Sequence, residues 1–231
     1  MRRMAGGVMG VCVLGGIVFA ALLLITPPVA SAPRLITAIE QTRSASPAGH
    51  TFPARFSYAL TGLENWHHSR SGPVSGAEQM ATHLVTPSTR AELALSDQLA
   101  SALYLPGHHG VISGIERVVL ALKLNWSYSR KALVSMYAAV ADFGHRYFGL
   151  VAASRGYFGR PPARLSWAQM AMLAALSAKP SADDPYAHFA RAKADQAAVL
   201  EGMVSAGIIS SSQAHRELGQ PLHLVRLVAA K

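Results

Sequence analysis

Groups able to move a proton are scarce in this chain, whose 231 residues hold 12 Asp and Glu against 21 Lys and Arg. General acid–base chemistry needs a carboxyl set against apolar surface and close to a loop that admits substrate. Glu40, Glu78 and Glu116 fit, because each borders apolar helical sequence with a loop nearby. An ordinary solvated charge is the competing reading for each. Ten histidines suggest metal, yet the pairs His67-His68 and His108-His109 are adjacent in sequence. Adjacent helical side chains point about 100° apart, unlike the i,i+4 pairs of helical metal sites. Cys12 is the single cysteine, so neither a metal site nor a disulfide framework is expected. The sequence has no Walker loop, GxGxxG, HExxH or GxSxG, and no cofactor is expected.

The elements that position these groups follow from composition. Half the residues are apolar (51%), 14% are charged and the net charge is +9. That much apolar content excludes intrinsic disorder, and the scattered cations exclude a nucleic-acid tail, so no nucleic-acid partner is expected. The mean hydropathy of +0.24 points to membrane contact. Ala5 to Thr26 is an uncharged run that stops at Pro27-Pro28. As a helix it is long enough to cross a hydrocarbon core of roughly 30 Å. Ala30-Ser31-Ala32 also has the small-x-small form of a signal cleavage site, but the apolar run exceeds a usual signal core and Pro33 would follow the cut. Arg2 and Arg3 precede the run, which predicts a single-pass protein of the cytoplasmic (inner) membrane with its N-terminus inside and its domain on the extracytoplasmic side. A basic domain beside a bilayer would be drawn to anionic lipid or lipid-linked substrate.

Apolar periodicity beyond the run reads as helix nearly throughout, giving an all-α domain. Helices are predicted over Arg34–Gln41, Ala54–His67, Ala77–Val85, Arg90–Leu103 and Val111–Trp126. Ser129 is placed to cap a helix over Arg130–Phe143, Ser166 one over Trp167–Ala178, and Ser210 with Gln213 a short last helix. A long helix over Ala187–Ala206 should stop at Gly207. The predicted organisation is a cytoplasmic tip, anchor and linker over 1–33, a domain over 34–218, and a tail over 219–231 without assigned structure.

The stretch from Tyr147 to Tyr186 resembles the glycosyltransferase family 51 pattern, the peptidoglycan transglycosylase domain of penicillin-binding proteins. Gly149, Ala152, Ala153, Tyr157, Phe158, Gly159, Leu165, Leu173, Lys179, Pro180 and Ser181 fall in register. "VLEGMVSAGIIS" downstream and "ALKLNWSYSRKALVSMY" upstream resemble the flanking segments. The resemblance covers about Arg34 to Ile209. It implies a mostly helical, lysozyme-like fold behind an N-terminal transmembrane helix, polymerising lipid II with one glutamate as general base and further groups on the departing pyrophosphate.

At the family's site positions this chain departs. Arg43 stands at the first glutamate, with Ser44 and Pro47 at the next motif positions and His50 at the motif histidine. Ser75 and Gln79 are kept in the second motif, where Thr82 and His83 replace a Lys-Asn pair. In the third motif Ser113-Gly114 replace Arg-Lys and Arg117 stands at the second glutamate, with Glu116 one residue away. Ser135 and Ala139 replace a Glu and an Asn in the fourth, which retains Tyr137. A guanidinium stays protonated at any relevant pH and cannot act as the base. His50, Ser75, Gln79, Tyr137 and Lys179 remain as substrate-binding positions by resemblance. The expectation is a catalytically silent, membrane-anchored member that binds lipid II, glycan strands or a cell-wall synthesis protein. The alternative is an active enzyme with its acids relocated to Glu40 and Glu116.

Overall fold

The computed structural model describes residues 26–42, 52–70, 87–104 and 111–225. Among them the chain is all-α, and the sole β pairing is an isolated bridge between Asp142 and Phe148. The helices are α1 (Ala32–Thr42), α2 (Ala54–Arg70), α3 (Pro87–Tyr104), α4 (Val111–Ser127), α5 (Arg130–Val140), α6 (Leu150–Phe158), α7 (Trp167–Ala178), α8 (Phe189–Ser205) and α9 (Ser211–Gly219). The predicted helix over Ala77–Val85 lies outside the described residues.

Local chemistry sets the helix ends. Ser129 Oγ accepts from Ala132 N at 3.4 Å and opens α5. Ser166 and Gln169 exchange hydrogen bonds of 3.2 and 3.1 Å in a capping box that opens α7. Ser210 Oγ accepts from Gln213 N and opens α9. Gly207 takes φ +69° after α8, and Gly207 N and Ile208 N donate to the Val204 and Met203 carbonyls, both at 2.9 Å. That pair of bonds closes orphan carbonyls at the helix end, and a left-handed residue is needed to form it. The predicted extension of α5 to Phe143 does not occur. The chain leaves the helix at Ala141, the Asp142 carboxylate accepts from Gly144 N, and a turn through Gly144, His145 and Arg146 leads to α6.

The core is built around α7, whose residues Ala168 to Leu176 are all buried, so the predicted central helix is central. It is flanked by α2 and α8, with α6 and α9 also against it. α2 and α8 touch backbone to backbone: a Cβ on Gly62 would lie 2.6 Å from the Val199 carbonyl oxygen, and one on Gly202 would overlap the Gly62 carbonyl. Two side-chain-free positions facing each other bring the helix axes close. Phe56, Phe143 and Tyr157 fill the remaining core space.

A second packing group joins α3, α4, α5 and α1. The chain enters here. Val29 and Ala32 are buried, and Tyr128 Oη donates to the Val29 carbonyl at 3.0 Å. At the other end, the segment after α9 lies on the core. Gln169 Nε2 donates to the Leu222 carbonyl, Tyr186 Oη to the Val225 carbonyl, and Val225 N to the Tyr157 carbonyl. No helix among the described residues is long and apolar enough to cross a membrane, and all of the predicted span except Thr26 lies outside them.

Candidate active site

The α3–α4 pair carries the position expected to hold the second catalytic acid. There Arg117 Nε donates to Asp97 Oδ1 at 2.7 Å, with the Arg117 side chain 36% exposed and that of Asp97 11%. Asp97 lies four residues after Leu93 and three before Ala100, both buried, so helical spacing turns its carboxylate inward. Burying a carboxylate is costly without a compensating partner, and Arg117 supplies one cation to it. The arginine therefore stabilises the folded chain while its flank reaches the surface. Glu116, one residue earlier on α4, is half-buried.

Two other expected positions meet at the C-terminal end of α7. Tyr137, on α5, is buried and donates from Oη to the Ser177 carbonyl at 3.0 Å. Burial pushes its phenol up to about 12, so it is a neutral donor at any physiological pH. Lys179 is the residue that ends α7. It lines a small cleft with Leu63, Trp66, Ala178, Asp183 and Asp195. Ser135, at the fourth motif's lost glutamate, donates to the Lys131 carbonyl within α5.

The cleft holds a carboxyl pair. Asp183 is buried, and burial first, then the adjacent Asp195 carboxyl, raises its pKa, while Lys179 and Arg191 pull the other way. Arg191 Nε lies 3.1 Å from Asp183 Oδ1. Its sequence neighbour behaves oppositely. Burial would raise the Asp184 pKa, but hydrogen bonds from His145 and from the Tyr186 and Ala187 backbone hold it below the ordinary range. His145 Nε2 sits 3.0 Å from Asp184 Oδ1 and packs edge-on to Tyr157 and Tyr186.

Arg43, His50, Ser75 and Gln79 lie outside the described residues, as does the side chain of Glu40 in the last turn of α1. The structure thus brings Tyr137 and Lys179 to one helix end and sets Arg117 and Glu116 on α4. Sequence reasoning did not single out Asp97, Asp183 or Asp195. Asp97 carried a readable signal in its i+4 spacing from Leu93. Asp183 and Asp195 sit 12 positions apart, and no local pattern pairs them.

Residues 88–204 match the family model described as Transglycosylase, half of the chain. This protein therefore belongs to the transglycosylase family, glycosyltransferase family 51. It is 31% identical over 134 residues to penicillin-binding protein 1A of Neisseria flavescens, covering 58% of this chain and 17% of that one. It is 29% identical over 174 residues to penicillin-binding protein 1A of Neisseria gonorrhoeae, covering 74% and 21%. With the Aquifex aeolicus (strain VF5) protein of the same name the identity is 27% over 158 residues, covering 68% and 22%. The chain thus spans about a fifth of the length of these relatives. Among solved structures, penicillin-binding protein 1A from Haemophilus influenzae aligns with a TM-score of 0.38 at 21% identity, covering 58% of this chain and 17% of that one.

Proposed function

We propose that this protein is a membrane-anchored family 51 member that binds lipid II, glycan strands or a cell-wall synthesis partner on the extracytoplasmic side of the cytoplasmic membrane without polymerising glycan. Residues 1–33 form the cytoplasmic tip, anchor and linker, 34–218 the transglycosylase-like domain, and 219–231 the tail. The observation that carries the reading is Arg117. At the expected place of a catalytic carboxylate stands a guanidinium held 2.7 Å from Asp97. Arg43 repeats the charge reversal at the general-base position. Removing an acid–base group forfeits about 10²–10⁴ in rate, and here both are replaced. With Arg43 at one carboxylate position and the Asp97-paired Arg117 at the other, the groove no longer carries the acids that would repel pyrophosphate or phospholipid. His50, Ser75, Gln79 and Lys179 remain as the family's binding positions, whereas Tyr137 is buried with its hydroxyl on the Ser177 carbonyl and supports the end of α7 instead.

Lipid II offered to the full chain in a bilayer tests this. The expected result is saturable binding with no polymer, under conditions in which a penicillin-binding protein 1A transglycosylase domain makes strands. Polymer that disappears in Glu40→Gln or Glu116→Gln would establish the relocated-acid reading instead. Absence of binding to lipid II, to glycan and to any envelope partner would overturn the binding role.

A further inference from the structure

Away from the α3–α4 pair and the cleft, the start of α7 carries an aromatic and basic surface that neither of them uses. α7 runs for 12 residues, so this end lies about 18 Å from Lys179 at the other. Tyr58 on α2 is 45% exposed, and its ring centroid lies 6.2 Å from that of the half-buried Trp167, with 38° between the planes. Arg55, one turn before Tyr58, sets its guanidinium 5.2 Å from the centre of the Trp167 ring and donates from Nη1 to the Leu165 carbonyl at 3.0 Å. Arg164, beside Leu165, is exposed on a 3-10 turn over Pro162–Arg164, which its backbone N–H ties to the Pro161 carbonyl at 2.9 Å.

Packing does not account for this surface. The buried face of α2 is Phe56, Ala59, Leu60 and Leu63, and Tyr58 stands off it. α7 closes the core from Ala168 onward, after Trp167. The helix start has its own acceptors: Ser166 Oγ takes Gln169 N, and Glu217 Oε2 takes Ala168 N at 3.0 Å, so no outside anion is needed to complete it. Glu64 on α2 is paired with Arg130 at 2.7 Å. Among the described residues no carboxylate pairs with Arg55 or Arg164. Tyrosine, tryptophan and arginine are the types that carry most of the binding energy in protein interfaces, and here the Arg55 contacts hold two of the three in place beforehand. Two cations without counter-charges beside them call for an acidic partner.

We propose that the surface formed by Tyr58, Trp167, Arg55 and Arg164 docks an acidic segment of a partner protein, whose carboxylates meet the two arginines and whose apolar side chains cover the two rings. The proposal rests on the partner-binding reading above and names the chemistry of that partner, on a surface separate from the groove assigned to lipid II and glycan. A lipid phosphate offers the same sign of charge. The chain leaves for the proposed anchor from the other packing group, however, where Lys123 holds Thr26 and Tyr128 holds Val29.

The test uses the full chain in neutral detergent micelles and a rhodamine-labelled peptide of repeated Glu-Glu-Phe, with Gln-Gln-Phe as its uncharged counterpart. In anisotropy titrations only the acidic peptide should bind, salt should weaken it, and Tyr58→Ala and Arg164→Gln should each weaken it about tenfold. Both variants should keep the native melting midpoint, because both side chains are exposed. Lys131→Gln removes one exposed cation from α5 and should leave the affinity unchanged. Equal losses in Lys131→Gln and Arg164→Gln, or native affinity in Tyr58→Ala, reduce the binding to net charge and overturn the proposal. Failure of the acidic peptide to bind overturns it as well. So does quenching by acyl-brominated lipid in phosphatidylcholine–phosphatidylglycerol vesicles that disappears in Trp167→Phe, which assigns the surface to a bilayer. Lipid II binding by the same proteins separates the two readings. Its absence from the native chain defeats the groove role and leaves this surface standing, whereas its loss in Tyr58→Ala alone makes the surface part of the groove and overturns the proposal.

Discussion

Around α7 nothing charged interrupts the interior from Ala168 to Leu176, whereas the α3–α4 pair carries a buried Asp97 paired with Arg117. The first region is closed by apolar packing alone and the second by helices joined through an ion pair. Volume and spacing constrain α7: each side chain has neighbours on all sides, and a change of one methylene is felt. The α4 surface is constrained only by charge balance, which an Arg–Asp pair meets as well as other arrangements. Substitutions in the two regions should accordingly fail for different reasons.

The largest effect is expected where helices touch without side chains. Gly202→Ala drives a methyl into the Gly62 carbonyl, a backbone atom that cannot swing aside. Overpacking of this kind costs about 3 kcal/mol. Denaturant unfolding should show a lowered midpoint with the slope m unchanged. A loss below about 1 kcal/mol would mean that α2 and α8 can slide apart, and that the scaffold is less constrained than the comparison holds.

An intermediate effect is expected on the other side of the comparison. Arg117→Glu replaces the cation with a second carboxylate beside Asp97. It removes a charge-assisted hydrogen bond, worth about 1.5–3 kcal/mol, and adds like-charge repulsion. The variant should melt lower than Arg117→Gln and still make no polymer. Polymer formation by the single variant would show that the arginine alone silences the site, and that Arg43 does not matter.

Much of the scaffold was legible because its signals are local. Ser129, Ser166, Ser210 and Gly207 each fix a helix end through bonds to residues within five positions. α6 escaped as a separate helix because its nine residues between Gly149 and Gly159 offer barely two turns of periodicity. The segment at Leu222 and Val225 escaped for a different reason. It is held by Gln169, Tyr157 and Tyr186, and backbone bonds to distant residues leave no pattern in their own segment. The candidate site was less legible. Motif spacing pointed to Arg117, but a search for carboxyls near loops passed over Asp97, the partner on the buried face of α3 to which Arg117 donates.

The smallest effect concerns Asp183, a buried carboxyl in the cleft that follows the apolar body of α7. Its pKa is raised in the folded state, chiefly by burial and then by Asp195, so the folded chain binds its proton more tightly than the unfolded chain does. Stability linked to this group is then fully present in acid and is lost as pH rises from the ordinary aspartate range through the raised value. Asp183→Asn removes that dependence and can still donate to the Asp195 carboxylate. The Arg191 contact that it gives up involves a side chain 58% exposed, and such pairs contribute little. Melting followed from acid to neutral pH should therefore show the variant equal to the native chain in acid and above it at neutrality. A variant that melts lower by the same amount at every pH would mean that the ion pair with Arg191 outweighs the cost of the buried charge, and that this end of α7 is held by charge balance like the α3–α4 surface.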